Sequence, residues 1–510
     1  MSFEFSVLSF EFQQLNNALE SICDGTENSK LKTQNSSDPF RPGLPMKNVL
    51  DLDGLTPALV QRYDRPGPRY TSYPTAPHFN EAFDQEAYCE RLRLASERAN
   101  EPLSMYVHLP FCHERCTFCG CNVVISPHRG PEEDYLDTLE RELDLLALAL
   151  GSRRSLNQLH WGGGTPTFLS PEQCERLFAA ITSRFPLTDG AEVAIEVDPC
   201  VTTMDHLSTL ARLGFNRISM GLQDTNPEVQ RAVKRIQPLE LTKEHVDEAR
   251  RLGFTSVNID LIYGLPLQTE ASFRDCVRSV ITDLAPDRVA CFSYAHVPWI
   301  KPHQKQLDEA KLPGGWEKFS LFTGAAREFV ESGYAFVGFD HFARPDDELA
   351  RALAEDRIHR NFMGYTVMPA ADQIGVGVTS IGDVAGAYAA NIKKLPAYKR
   401  SIEAGRLPVE RGLLRTAEDE LRSAVIHRII CTLRLDYAWV EREFGIDPRD
   451  HFADAIEELV PMAEDGLVEI GSDGLTVTPR GRFFLRNLCM PFDAYLGDKG
   501  PNAPRFSRTV

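Results

Sequence analysis

Four cysteines, Cys112, Cys116, Cys119 and Cys121, stand within one ten-residue stretch, and the first three have the spacing C-x3-C-x2-C. That part is too compact for a disulfide staple and has an odd ligand count for a closed metal site. Three thiolates can hold three irons of a four-iron, four-sulfur cluster, whose usual complement is four cysteines. The fourth iron is then open, as one position of a catalytic metal site is. A chelator with an amine and a carboxylate, such as S-adenosylmethionine, fits an open iron of that kind. A structural zinc site drawn from the same four cysteines is the alternative, although zinc sites usually pair two C-x-x-C knuckles far apart in sequence. Scattered core cysteines have no reason to cluster so tightly.

Other residues with chemistry follow at the ends of strand-like runs. The run HWGGGTPT (160–167) places three glycines where backbone amides can approach a ligand closely; a tight turn is the plainer reading of such a run. Glu196 and Asp198 close the run AIEVDP (194–199), and alternation puts both on one face. A carboxylate there can accept two hydrogen bonds from ribose hydroxyls, while a solvated loop or a helix cap suits Asp198 better than Glu196. Gln223 and Asp260 end two further runs, and Asp260, in an apolar setting, needs a partner if it is buried. Arg235 lies in the helical segment after the fourth run.

These positions require an alternating framework. Between residues 105 and 298 six β-rich runs occur: MYVHLP, QLHWGGG, EVAIEVDP, RISMGLQ, SVNIDLIYGLP and RVACFSYAHVP. Helical patterns such as 134–150, 171–184 and 242–252 separate them, and alternation of this kind predicts a parallel sheet. Six units suggest an open, partial (β/α) barrel, with functional residues at the carboxyl ends of its strands. Past residue 300 the pattern changes. Residues 336–342 are a candidate seventh strand, followed by a long irregular region through Ala371. Residues 417–496 read as helices and a hairpin, 466–470 with 475–478, turning at GSDG (471–474), which resembles a winged helix.

Composition sets outer bounds. The chain has 510 residues, 43% hydrophobic and 25% charged, as an ordinary globular protein does, and its length suits two to four domains. Its net charge of −18 argues against sequence-independent nucleic-acid binding, so a substrate-covering role suits the winged-helix-like part better than DNA binding. An anionic substrate would need a local basic pocket. No apolar run reaches the length of a membrane span, and the start lacks a basic n-region, so no membrane association and a cytoplasmic location are expected. The 12 cysteines are then thiols or metal ligands. Residues 1–45, with six acids and three bases and a polar part without period, read as a disordered tail or a misassigned start.

Taken together, PRYTSYPT (68–75), the cysteine segment ending Cys119-Gly-Cys121, HWGGGTPT, SMGLQD, NIDLIYGLP, DHFARP (340–345), HRNF (359–362) and FSR (506–508) resemble one family. It is that of the oxygen-independent coproporphyrinogen III oxidases, or coproporphyrinogen dehydrogenases, of the radical S-adenosylmethionine (SAM) superfamily. The resemblance runs from about residue 50 to the C-terminus and implies a fold: an α/β chain with a partial (β/α)6 radical-SAM barrel, an N-terminal extension and a mainly helical C-terminal domain. The division expected is 46–104 as a substrate-covering segment, 105–300 as the barrel core, 301–400 as barrel completion and 401–510 as the C-terminal domain.

The resemblance implies residue roles as well. Cys112, Cys116 and Cys119 would bind a [4Fe-4S] cluster, with Cys121 an unligated neighbour. Tyr106, Gly163, Glu196 and Ile381 would contact the SAM bound there. Phe118, Gly164, Thr165, Gln223, Arg235, Asp260 and Ala295 would line a second SAM site. Cys200 departs from the family, whose members tend to have arginine after the EVDP run. The implied reaction turns two propionates of coproporphyrinogen III into vinyl groups with loss of carbon dioxide, giving protoporphyrinogen IX. A 5′-deoxyadenosyl radical takes hydrogen from the propionate β-carbon. A low-potential donor such as a flavodoxin or ferredoxin would supply electrons, and the chain would be a monomer. For a substrate with four carboxylates, Arg65, Arg69, Arg344, His359 and Arg360 are candidate partners. The rival in another class is a haem-binding chaperone of the same fold, which generally lacks the cysteine after Cys119-Gly and the PRYTSYPT segment.

Overall fold

The structure is a computed structural model, and residues 49–497 and 506–509 are described. The reading of residues 1–45 therefore lies outside the described residues. Six parallel strands form in order: β1 (Leu103–Leu109), β2 (Leu156–Gly163), β3 (Leu187–Val197), β4 (Arg217–Gln223), β5 (Ser256–Tyr263) and β6 (Arg288–Ser293). Each coincides with one of the six β-rich runs. Helices α1 (Pro131–Leu150), α2 (Pro171–Thr182), α3 (Met204–Leu213), α4 (Leu239–Arg251) and α5 (Glu270–Ser279) join them. Local chemistry sets the starts. A proline and three acids open α1, earlier than periodicity alone indicates, and a reciprocal Ser170–Gln173 capping box opens α2.

The period-2 pattern divides the strands into two faces. Met105, Val107, Leu109, Leu159, Trp161, Val193, Ile195 and Ile218 pack into the main core with Leu136, Leu139 and Leu143 of α1 and Leu177 of α2. Residues on the other face, among them Gln158, His160, Glu192, Glu196, Ser219 and Asp260, line a cavity of about 160 Å³ inside the curved sheet.

Residues 336–342 do not form a seventh parallel strand. They fold into an antiparallel pair, β7 (Ala335–Gly338) and β8 (His341–Ala343), and β8 runs antiparallel to β6. Phe339 turns the chain back with φ 45°, and too few residues intervene for a parallel crossover. The region after it is not irregular throughout: a helix, Glu348–Ala354, precedes a hairpin of His359–Asn361 with Gly364–Thr366. The seventh parallel strand is β9 (Gln373–Val376), which lies on the free side of β1. Antiparallel β10 (Ile381–Val384), β11 (Ala387–Asn391) and β12 (Val409–Leu414) extend that side.

The sheet order is thus β12-β11-β10-β9-β1-β2-β3-β4-β5-β6-β8-β7, and the end strands do not pair, so the barrel stays open. Helix α6 (Gly315–Glu331) packs beside α5, and α7 (Ala417–Thr432) leads the C-terminal part. There the anticipated hairpin, Val468–Ile470 with Gly474–Val477, gains a third strand, Arg434–Asp436, over a second core that includes Leu421, Val425 and Leu459. The cysteines among the described residues are free thiols.

Candidate active site

The chain leaves β1 and enters the cysteine loop through a short parallel pair, Phe111–Cys112 with Val124–Ile125. Cys119 N–H donates to the Cys116 carbonyl (3.2 Å), and Thr117 N–H to the carbonyl of Val233 (3.1 Å). Each predicted ligand has its own neighbour. The Cys112 thiol is 3.5 Å from Thr165 Oγ1, and Arg235 Nη1 is 3.9 Å from Cys116 Sγ. The neighbouring Cys121 thiol draws Cys119 below the usual thiol range and is itself pushed well above it. Burial pushes Cys112 up to about 11 and also raises Cys116. All three cysteines would hold a metal as thiolates, giving up their protons to it.

Among the described residues no three His, Cys, Asp or Glu side chains converge on a single metal position. That is compatible with a cluster, in which each cysteine holds a different iron.

The glycine run turns directly behind this loop. Gly164 N–H donates to the Leu109 carbonyl (2.8 Å) and Thr165 N–H to that of Phe111 (2.9 Å), which binds the end of β2 to the start of the loop. A side chain does not fit there. A Cβ on Gly163, at φ +114°, would lie 2.6 Å from the His108 ring, and one on Gly164 2.7 Å from the Phe111 carbonyl oxygen.

Glu196, on β3, accepts from Gly163 N–H (3.2 Å) and pairs with His160 Nε2 (3.2 Å). Burial works to raise its pKa, but His160 and the amide outweigh burial, so it stays ionised. Tyr106 stacks on His160 with ring centroids 5.8 Å apart. Its hydroxyl is 3.2 Å from His108 Nδ1, while His108 Nε2 is 3.0 Å from the Asn122 carbonyl. A carbonyl only accepts, so Nε2 carries the proton, Nδ1 accepts, and the tyrosine donates. Ile381 reaches this layer through its backbone. Its carbonyl carbon lies 2.7 Å from where a Cβ on Gly375 would stand, and Gly375 pairs with Tyr106 in the sheet.

A second constellation flanks the first. Arg235 bridges Asp198 Oδ2 (2.8 Å), the Gly221 carbonyl (2.7 Å) and Cys116, so Asp198 is an ion-pair partner rather than a helix cap. Gln223 has φ 70°, and its Oε1 is buried without a partner. Asp260 has the partners its burial demands, Ser219 Oγ (3.2 Å) and Asn258 Nδ2 (2.7 Å), and burial pushes it up to about 7.

Phe118 and Ala295 are joined by a residue without any signal in the sequence. Gln304, 1% exposed, donates from Nε2 to both of their carbonyls (3.2 Å each), and its Oε1 accepts from Val297 N–H (2.6 Å). His303 and Lys301 reach the Cys119 and Cys121 carbonyls (2.8 and 3.1 Å). The segment after β6 thus braces the cysteine loop.

Beneath these groups the cavity floor is charge-balanced: Arg217 pairs with Glu192 (2.6 Å) and Arg288 with Asp347 (2.9 Å). The proposed substrate cations are not brought together. Arg344 lies at the surface paired with Asp346 (3.1 Å), and Arg65 is exposed, so neither faces the cavity. Arg69 donates to the Ser293 carbonyl (2.7 Å) at the end of β6. His359 and Arg360 line a larger, adjoining cavity.

Known proteins resemble this chain in sequence and fold. A model of the radical SAM superfamily matches residues 106–280, and one of the HemN C-terminal domain matches 416–484. An oxygen-independent coproporphyrinogen III oxidase of Escherichia coli K12 is 44% identical over 453 residues, 89% of this chain and 98% of that protein. One from Synechocystis is 42% identical over 456 residues, 89% and 97% of the two chains. The solved structure of the Escherichia coli coproporphyrinogen III oxidase, described as a radical SAM enzyme, superposes with a TM-score of 0.82 at 42% identity. It covers 88% of this chain and 99% of its own.

Proposed function

The chain belongs to the family of oxygen-independent coproporphyrinogen III oxidases, and from that membership we propose that it converts coproporphyrinogen III to protoporphyrinogen IX by oxidative decarboxylation of two propionates. The observation that carries this reading is the joining of the three-cysteine loop to the Gly163 turn and Glu196 at the carboxyl ends of β1 to β3. When bound, a [4Fe-4S] cluster and SAM would supply the hydrogen-abstracting radical chemistry that oxidative decarboxylation of a propionate needs.

The chain's own residues hold and shield that chemistry. Cys112, Cys116 and Cys119 are the cluster ligands in this reading, and Cys121 stays unligated beside them. Tyr106, Gly163, Glu196 and Ile381 contact the first SAM. Phe118, Gly164, Thr165, Gln223, Arg235, Asp260 and Ala295 take a second SAM. Arg235, linked to Asp198 and close to Cys116, offsets the negative charge of a thiolate-bound cluster. Residues 46–104 and 401–510 cover the substrate, with 301–400 completing the sheet between them. A low-potential flavodoxin or ferredoxin feeds electrons to a monomer in the cytoplasm. Among the described residues no helix is long and apolar enough to cross a membrane.

The oxidase reading is preferred to the haem-binding chaperone because Cys121 and PRYTSYPT are present and because relatives matching nearly end to end have the oxidase name. The test is anaerobic. Reconstituted protein with SAM, a reductant and coproporphyrinogen III is expected to yield protoporphyrinogen and 5′-deoxyadenosine. Cys116→Ser is expected to fold but to hold no brown cluster and give no product. Tight haem binding without decarboxylation by the wild type would reverse the reading, and full iron content and turnover in Cys116→Ser would refute the ligand assignment.

A further inference from the structure

The larger cavity, about 260 Å³, is walled by residues 70–73, the hairpin 359–366 with the segment 369–371 after it, sheet residues such as Ser104 and Asp383, Arg415, and one side of α7. It meets the interior of the sheet at Asn361 and Thr366, which line both spaces. Ser104 lies in its wall, one inward-facing position before Tyr106 on β1, roughly 7 Å along the strand.

One cation in this cavity is unsatisfied. Arg360 is held between the rings of Phe339 and Tyr365, its guanidinium carbon 4.8 and 4.9 Å from their centroids. Its side chain donates to no acceptor among the described residues, and Nε and Nη1 are buried without one. Asp340 feels its charge from beyond ion-pair distance and is itself bonded to His341 (2.7 Å). Ser72 Oγ, in the same lining, is also buried without a partner. The other arginine here, Arg415, is already paired with Asp383 (2.7 Å) and Glu420 (2.6 Å). The backbone N–H of Arg360 donates to His427 Nε2 (3.0 Å), which fixes the strand that carries it.

A flat guanidinium clamped between rings, with its donors unused, is suited to an incoming carboxylate. We propose that Arg360 and Ser72 form a subsite for a carboxylate of the tetrapyrrole, a propionate other than the one reacting near Tyr106. This rests on the oxidase reading and adds to it the residues that set the substrate's orientation. The α-carboxylate of SAM has the same chemistry, and the experiment separates the two sources.

Binding of coproporphyrin III, of its uncharged tetraamide and of SAM is measured on the folded, full-length chain. Arg360→Met, whose unbranched side chain still fits between the rings, is expected to weaken coproporphyrin III at least about tenfold. Binding of the tetraamide and of SAM should not change, and Arg360→Lys, which keeps the charge, should regain part of the affinity. Unchanged coproporphyrin III binding, an equal loss for the tetraamide, or a loss confined to SAM would each overturn the assignment. A wild-type chain that binds coproporphyrin III with this dependence on Arg360 but never decarboxylates it would refute the oxidase reading and leave the subsite intact.

Discussion

Gly163 shows how far one residue constrains the site. Its amide reaches Glu196 only because no side chain stands between the turn and the His108 ring. Gly163→Ala must place a Cβ at φ +114° against that ring, a strain of about 1–3 kcal/mol. The expected result is a folded protein whose affinity for SAM falls roughly tenfold, read by equilibrium dialysis; wild-type affinity would show that the turn does not hold the ligand. The cysteines, the glycines and Glu196 were legible in the sequence because their chemistry is local and their spacing short. Asp198 was not, since its partner Arg235 lies on a different element and only the fold joins them. Gln304 was illegible for a further reason: an isolated glutamine in a loop looks the same whether it faces water or holds three backbone groups.

Among elements, the strands added beyond β1 are fastened to α1 by one buried carboxylate. Glu142 accepts from Gly377 N–H (2.8 Å), Asn391 Nδ2 (2.7 Å) and the Tyr398 hydroxyl. Burial pushes it up to about 7 in spite of these donors. An acid whose folded pKa is raised binds its proton more tightly in the folded state than in the unfolded one, where the value is near 4.3. Its contribution to stability is therefore greatest below about pH 4.3 and is lost as pH rises through 7. Relative to Glu142→Gln, the wild type should lose about 3 kcal/mol across that window, measured by denaturant titrations at several pH values. Parallel pH curves for the two proteins would contradict this. Six strands were legible because each alternates or stays apolar over six residues or more. The seventh parallel strand, β9, has four residues with a glycine inside, too few for any period to register.

Over the whole molecule, Arg486 ties the two ends of the described chain together. It donates to the carbonyls of Pro68 (2.9 Å) and Gly67 on one side and of Arg508 (2.9 Å) and Ser507 (3.4 Å) on the other. Burial pulls its pKa down to about 9, yet it remains charged at neutral pH. Arg486→Met would leave the carbonyls of Gly67, Pro68 and Arg508 without a donor, while Ser507 keeps Gly67 N–H (3.0 Å), and should cost at least about 3 kcal/mol in chemical denaturation. Because the segments it joins are proposed to cover the substrate, the KM for coproporphyrinogen III should rise while SAM binding is retained. Wild-type stability and KM together would separate this clasp from the site. The most direct measurement of the whole account follows the hydrogen itself. With coproporphyrinogen III deuterated at the propionate β-carbons, the account predicts deuterium in the 5′-deoxyadenosine and equal amounts of carbon dioxide and new vinyl groups. Unlabelled 5′-deoxyadenosine accompanying vinyl formation would contradict it.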